Sequence, residues 1–310
     1  ADTQSDNLQL APIFTIKKES QEDKEKTPPA PGLSFGVPSA YGSSDNTFFV
    51  GVSYGASVEE GLFTFYNSNE EKVADGSMSF GFGVGNANKL AAEVAVGIIS
   101  LACQDGESCF GADGTMGIKL HKKLDNSFVD GVAIGYSDLV RWGEASDFAT
   151  IYGVTSKDFK INDKKGLLSL GIGTGGFRSK SDIDSSENNP NLFGGIGVEL
   201  APRLSLSSGW NGSILSSGLG ISPFDFPLSV SVGVTDITDV NGKGQKFSIN
   251  FFHTLYHPAL CYILCYIGKY SYHLSFTSCY YCLDEEDDEL LFLLRKDHLS
   301  GDHVKLLAAL

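Results

Sequence analysis

The sequence predicts an all-β protein, an antiparallel up-and-down β-barrel of about 12 strands, and three observations carry that prediction. Bulky apolar residues alternate with Gly, Ser or Ala between Leu33 and Phe252. Met78, Phe80, Phe82 and Val84 alternate with Ser79, Gly81, Gly83 and Gly85, and Leu228, Val230, Val232 and Val234 with Ser229, Ser231 and Gly233. A period of two puts one set of side chains on each face of a strand. The second face is small rather than charged, so one face is greasy and the other compact, which suits a sheet closed on itself. Glycine is abundant, 36 of 310 residues, and sits inside these alternating runs rather than in a linker. No helical stripe of convincing length precedes residue 255, which argues against βαβ architecture.

Taken in order, residues 1–31 are polar and charged and end in Thr27-Pro28-Pro29-Ala30-Pro31, the composition of a disordered or extended arm. Residues 32–252 form the barrel, with candidate strands centred on Phe35, Val52, Phe80, Val96, Ile118, Val132, Tyr152, Leu170, Val198, Leu206, Leu219, Val232 and Ile249. Tight polar turns are expected at Leu124–Ser127, Asn162–Lys165, Ala201–Arg203 and Asn241–Gly244, and a long polar loop at Arg178–Asn191. Short turns mixed with longer loops fit a barrel with unequal ends. Residues 253–310 differ in style. They hold five of the six histidines and four of the six cysteines, then the acidic run Asp284–Glu289 and a helix-forming stretch from Leu290.

Bulk properties exclude several classes. A formal charge of −15 argues against a nucleic-acid partner, which needs a basic footprint. It also disfavours attraction to anionic lipid. No run of about twenty apolar residues is present to make a helical span, though a transmembrane barrel would show none. The start at Ala1 fits a leader cut after a small residue equally well as an arbitrary boundary.

Few residues suggest chemistry. Cys103 and Cys109 bracket Gln-Asp-Gly-Glu-Ser at an expected hairpin tip, and are candidates for a disulfide worth about 2–3 kcal/mol in an oxidising compartment. Gly171, Gly173 and Gly176 match GxGxxG, but no helical periodicity follows, so they read as inward strand glycines and no cofactor is expected. Cys261, Cys265, Cys279 and Cys282 lack the turn residues of a zinc site, and Asp105, Glu107 and Asp113 lack a calcium-loop signature, so no metal is expected. His121 is the one barrel histidine. Set among lysines near a strand end, it reads as solvated, and no catalytic residue is assigned. Trp142 and Trp210 sit beside turns and are candidate interface aromatics.

Ala201-Pro-Arg-Leu-Ser-Leu-Ser-Ser-Gly-Trp210-Asn-Gly, followed by Pro223-Phe-Asp-Phe-Pro227-Leu-Ser-Val-Ser-Val-Gly-Val-Thr-Asp236, resembles the closing hairpins of bacterial outer-membrane β-barrels, cyanobacterial ones in particular. The resemblance spans roughly residues 32–252. It implies a lipid bilayer and the outer-membrane assembly machinery as partners, and a strand ending on an aromatic residue, Phe252 or Tyr256, with more than fifty residues following. The expectation is an outer-membrane barrel acting as a passive pore or structural surface protein, with small solutes crossing the lumen and no enzyme activity. Inward Gly and Ser would leave space, favouring an open lumen over a packed plug. The rival expectation is a secreted or periplasmic soluble barrel or sandwich that binds a small apolar or glycan ligand.

Overall fold

The computed structural model describes residues 31–44, 47–69, 73–99, 101, 110–125, 128–143, 148–240, 242 and 244–256. Twelve strands alternate in direction along the chain. They are β1 (Thr47–Ser57), β2 (Ala74–Asn86), β3 (Leu90–Ile98), β4 (Gly114–Lys123), β5 (Gly131–Trp142), β6 (Ile151–Ile161), β7 (Lys164–Gly173), β8 (Asn191–Ala201), β9 (Leu204–Trp210), β10 (Leu215–Ile221), β11 (Leu228–Thr235) and β12 (Lys246–Tyr256). Each pairs antiparallel with its sequence neighbours, and β1 closes on β12 from Thr47↔Tyr256 to Ser57↔Lys246. Closure leaves no edge strand with unpaired amides. The last strand runs past Phe252 to Tyr256, so His253 belongs to the barrel rather than to a tail.

Every expected strand from Val52 to Ile249 is present. The one centred on Phe35 is not: residues 32–44 form no strand. Gly36 takes a left-handed φ of 77°, and Pro38 brings no amide hydrogen to a ladder. The connections are unequal as expected. The β6–β7 turn is two residues, Asn162 and Asp163, both at positive φ (48° and 65°), the twist that suits a tight hairpin. Thr47, Tyr256 and this turn share one end of the barrel, and the connections 58–73 and 174–190 stand at the other.

Register fixes which face each residue takes. The row Phe251–Val52–Met78–Ile98 crosses β12, β1, β2 and β3, and Leu120–Ile134–Gly153–Ile172–Leu192 crosses β4 to β8. The second row is on the outside, with Ile134 66% and Leu192 63% exposed. The small half of the alternation points in. Its space is filled partly by inward rings lying over glycines. Phe177 stacks on Phe193 with centroids 4.1 Å apart, Tyr152 meets both edge-on, and Phe49 stacks on Phe252 at 5.4 Å. A Cβ at Gly171 would lie 2.2 Å from the Phe193 ring and 2.5 Å from the Gly153 carbonyl.

The β7–β8 connection folds back through a short 3-10 turn, Gly175–Phe177, and a helix α1, Lys180–Ser185. Ser179 caps α1: its Oγ accepts the Asp182 N–H at 3.2 Å, and Asp182 Oδ2 accepts the Ser179 N–H at 3.3 Å. The Ser179 hydroxyl and the Asn189 amide together hold the Asp182 carboxyl below its ordinary value.

Two outcomes are expected. Gly171→Val should lose about 1–3 kcal/mol by overpacking. Gly153→Val, whose new Cβ meets nothing within 4 Å, should stay within about 0.5 kcal/mol of the parent in urea unfolding. Equal effects would refute the facing assigned to β6 and β7. Because the Asp182 value is depressed on folding, its contribution is present above the unfolded value of about 3.9 and is lost as pH falls through the lower native value. Ser179→Ala should raise the Asp182 titration midpoint towards that unfolded value in carboxyl NMR shifts; an unmoved midpoint would refute the cap.

Candidate functional site

The lumen is occupied by the chain itself. Residues 32–44 enter beside β9 and β10, where Ser205 Oγ donates to the Gly32 carbonyl, cross the interior, and leave beside β2, β3 and β4 to join β1. Phe35, Val37 and Ala40 are buried, with Val37 and Ala40 packed in one cluster with Ala133, Tyr152, Val154, Phe177 and Phe193. The inward glycines are where the wall makes room. A Cβ would come within 2.1 Å of the Leu33 carbonyl oxygen at Gly197, 2.4 Å of the Phe35 carbonyl oxygen at Gly209, 2.5 Å of the Phe35 ring at Gly233 and 2.2 Å of the Ser43 backbone at Gly83. The open lumen expected from inward Gly and Ser is therefore absent: the space those residues leave is taken by residues 32–44 and the aromatic rings.

Grip on the segment is uneven. Along β6 and β7 it is neutral: Ser156 Oγ accepts the Ala40 N–H at 2.8 Å and pairs with Ser169 Oγ at 2.8 Å. On β3 and β4 it is ionic. Glu93 Oε2 accepts the Ser43 N–H at 2.6 Å, His121 Nε2 contacts the Ser43 carbonyl at 2.9 Å, and Lys119 Nζ donates to the Tyr41 carbonyl. The Ser43 carbonyl only accepts, so the His121 tautomer there carries its proton on Nε2. Glu93 and Lys119 are opposite one another in the β3–β4 ladder, and all three side chains are at most 3% exposed. Glu93 Oε1 has no hydrogen-bond partner among the described residues. Burying opposite charges together is tolerated because each offsets the other's lost hydration.

His121 is thus not a solvated residue beside a loop. Register puts it on the inner face, one position beyond Leu120 on the outside. Glu93 and Lys119 escaped sequence reasoning altogether. Their signal was there: ionisable residues at positions that the alternation of β3 and β4 assigns to the inner face. For Phe35 the signal was Pro38 within an apparent strand.

The remaining candidates stay apart from this cluster. Trp142 ends β5 and Trp210 ends β9, both at the end opposite Thr47 and Tyr256. Trp210 stands 41% exposed, and Trp142 covers Gly114 and donates its indole N–H to the Gly111 carbonyl at 2.8 Å. Gly171 and Gly173 close β7 and face inward, whereas Gly175 and Gly176 belong to the 3-10 turn. Phe252 also faces inward. Cys103, Cys109, Asp105, Glu107, Cys261, Cys265, Cys279, Cys282 and the acidic run lie outside the described residues, so nothing supports the disulfide.

No family model matches this chain, and no curated protein matches it in sequence. Among solved structures, the crystal structure of an outer membrane channel from Pseudomonas putida F1 aligns with a TM-score of 0.40 at 8% identity, covering 69% of this chain and 97% of that one. So distant a likeness says nothing about mechanism.

Glu93→Leu strands the buried Lys119 charge and should lose about 3–5 kcal/mol in equilibrium unfolding. Glu93→Leu combined with Lys119→Met should lose much less than the sum of the two single changes. Additive losses would show that the pair does not act as a unit.

Proposed function

We propose that this chain is an outer-membrane β-barrel whose lumen its own N-terminal segment keeps shut. One observation carries the reading: the barrel is inside-out relative to a water-soluble one. Ser156, Ser169, Ser205, Ser207, Ser229 and Ser231 are buried in the interior, while Phe80, Ile134, Leu170, Ile172, Leu192 and Ile196 stand on the outside at 44–66% exposure. At about 25 cal/mol per Å² of apolar surface, leaving such a wall in water would forgo far more than the few kcal/mol by which proteins are stable. Hydrocarbon removes that penalty, and closure meets the other demand of lipid, that every backbone amide be paired within the wall. Trp142 and Trp210, at one end of their strands, suit the boundary between hydrocarbon and headgroups. Among the described residues, no catalytic constellation supports an enzyme reading. The ionisable side chains gathered inside hold the backbone of residues 41–43 rather than facing a free site.

The full chain, expressed with membranes present, should need detergent for extraction and should change gel mobility on boiling. A monodisperse protein that stays in solution without detergent would instead favour a soluble ligand-binding barrel.

A further inference from the structure

We infer that residues 32–44 are the gate of a solute pathway, that Glu93, Lys119 and His121 are its latch, and that the path it uncovers admits small uncharged polar solutes. The inference rests on the membrane reading above and goes beyond it by assigning the gate, its hold and the class of solute.

Three features of the segment make it a gate rather than part of the wall. The barrel closes β1 onto β12 without it, so its departure breaks no ladder. It both enters and leaves at one end. Gly32 lies at the beginning of β9, beside Ser205, and Ser43 beside Gly83 and the start of β1, so both ends of the segment stand at the same rim. Its hold is concentrated. Three charged or imidazole side chains grip the main chain at two residues, the Tyr41 carbonyl and both backbone polar groups of Ser43. Elsewhere the contacts are neutral hydroxyls, bare glycines and the apolar cluster around Val37 and Ala40, with the Tyr41 phenol beside the Asp158 carboxyl.

The uncovered wall sets the solute. From Ser205 to Gly209, Ser216 to Gly220 and Ser229 to Gly233, every inward position on β9, β10 and β11 is serine or glycine. Such a wall offers hydroxyl donors and acceptors, open volume and no charge. It now faces Gly32, Phe35 and Gly36, and Ser205 donates to the Gly32 carbonyl. Hydroxyls of a sugar-sized solute could take the same hydrogen bonds, whereas an ion would find no counter-charge along that wall. Glu93 and Lys119, opposite in sign and adjacent, contribute little net field.

The test uses full-length protein in liposomes and compares influx of arabinose with that of glucuronate. One variant loosens the latch from the wall, Glu93→Gln with Lys119→Gln. A second loosens the segment itself, Phe35→Ser, and leaves the wall intact in case the first fails to fold. Insertion of each is checked by its mobility shift on boiling. Arabinose influx should rise at least about tenfold in either variant over the parent, as expected for loss of a charge-assisted hydrogen bond or a buried ring from the closed state, with glucuronate lagging well behind. Unchanged influx through inserted variants would overturn the gate. Equal passage of both solutes would overturn the solute class. A chain that never enters the bilayer would overturn the membrane reading, and the gate with it.

Discussion

A closed wall one strand thick encloses a volume, and that volume must be filled with something. Most of this structure follows from that constraint. Twelve strands enclose more space than inward serines and glycines occupy, so the wall alone would leave a void or a water-filled bore. Here the space is filled from two sources. Aromatic side chains fold inward over glycines, as Phe193 does over Gly171 and Phe49 over Gly81, and residues 32–44 run through what remains. The glycines are therefore not vacancies but fitted recesses. Several face a carbonyl or ring at distances no Cβ could share. Wall and segment are cut to each other, which is why small residues recur along the inner face.

The same filling explains the polarity. A main chain crossing a buried interior brings amides and carbonyls that must be paired. Serine is the smallest side chain able to pair them while leaving room, and Ser156 and Ser205 do so directly. The hydroxyls inside and the apolar side chains outside are thus one arrangement seen from two faces. The outer face needs apolar bulk, and the inner face needs volume and hydrogen bonds.

How much of this was legible in the chain depends on what each signal reports. Alternation reports strands and their two faces, and it located all twelve, because a period of two survives without knowledge of the neighbours. The turn at Asn162 and Asp163 was legible because few residues accept positive φ at consecutive positions. The occupant of the lumen was not, because alternation describes which side a residue faces and not what lies there. Leu33, Phe35 and Val37 alternate with Ser34 and Gly36 as a strand would, and only Pro38 spoke against it. His121 was misread for a related reason. Lysines at 119, 122 and 123 suggested solvent, yet period two puts Lys119 and His121 on the inner face with Glu93 opposite Lys119.

Among the described residues, that cluster is where ionisable side chains hold the passing main chain. Glycine and serine recesses fit the passing chain by shape, but they bring no charge to its peptide groups. The contacts at Tyr41 and Ser43 are different. Glu93 accepts an N–H, while Lys119 and His121 reach carbonyls, so donors and acceptors alternate along residues 41–43. Buried opposite charges are weak sources of stability, because the lost hydration offsets much of the attraction. With one carboxylate oxygen unpartnered among the described residues, Glu93 is not placed for maximal stability. Its place is explained by register: it fixes where the segment stops, and with that which recess each of Leu33, Phe35 and Val37 fills.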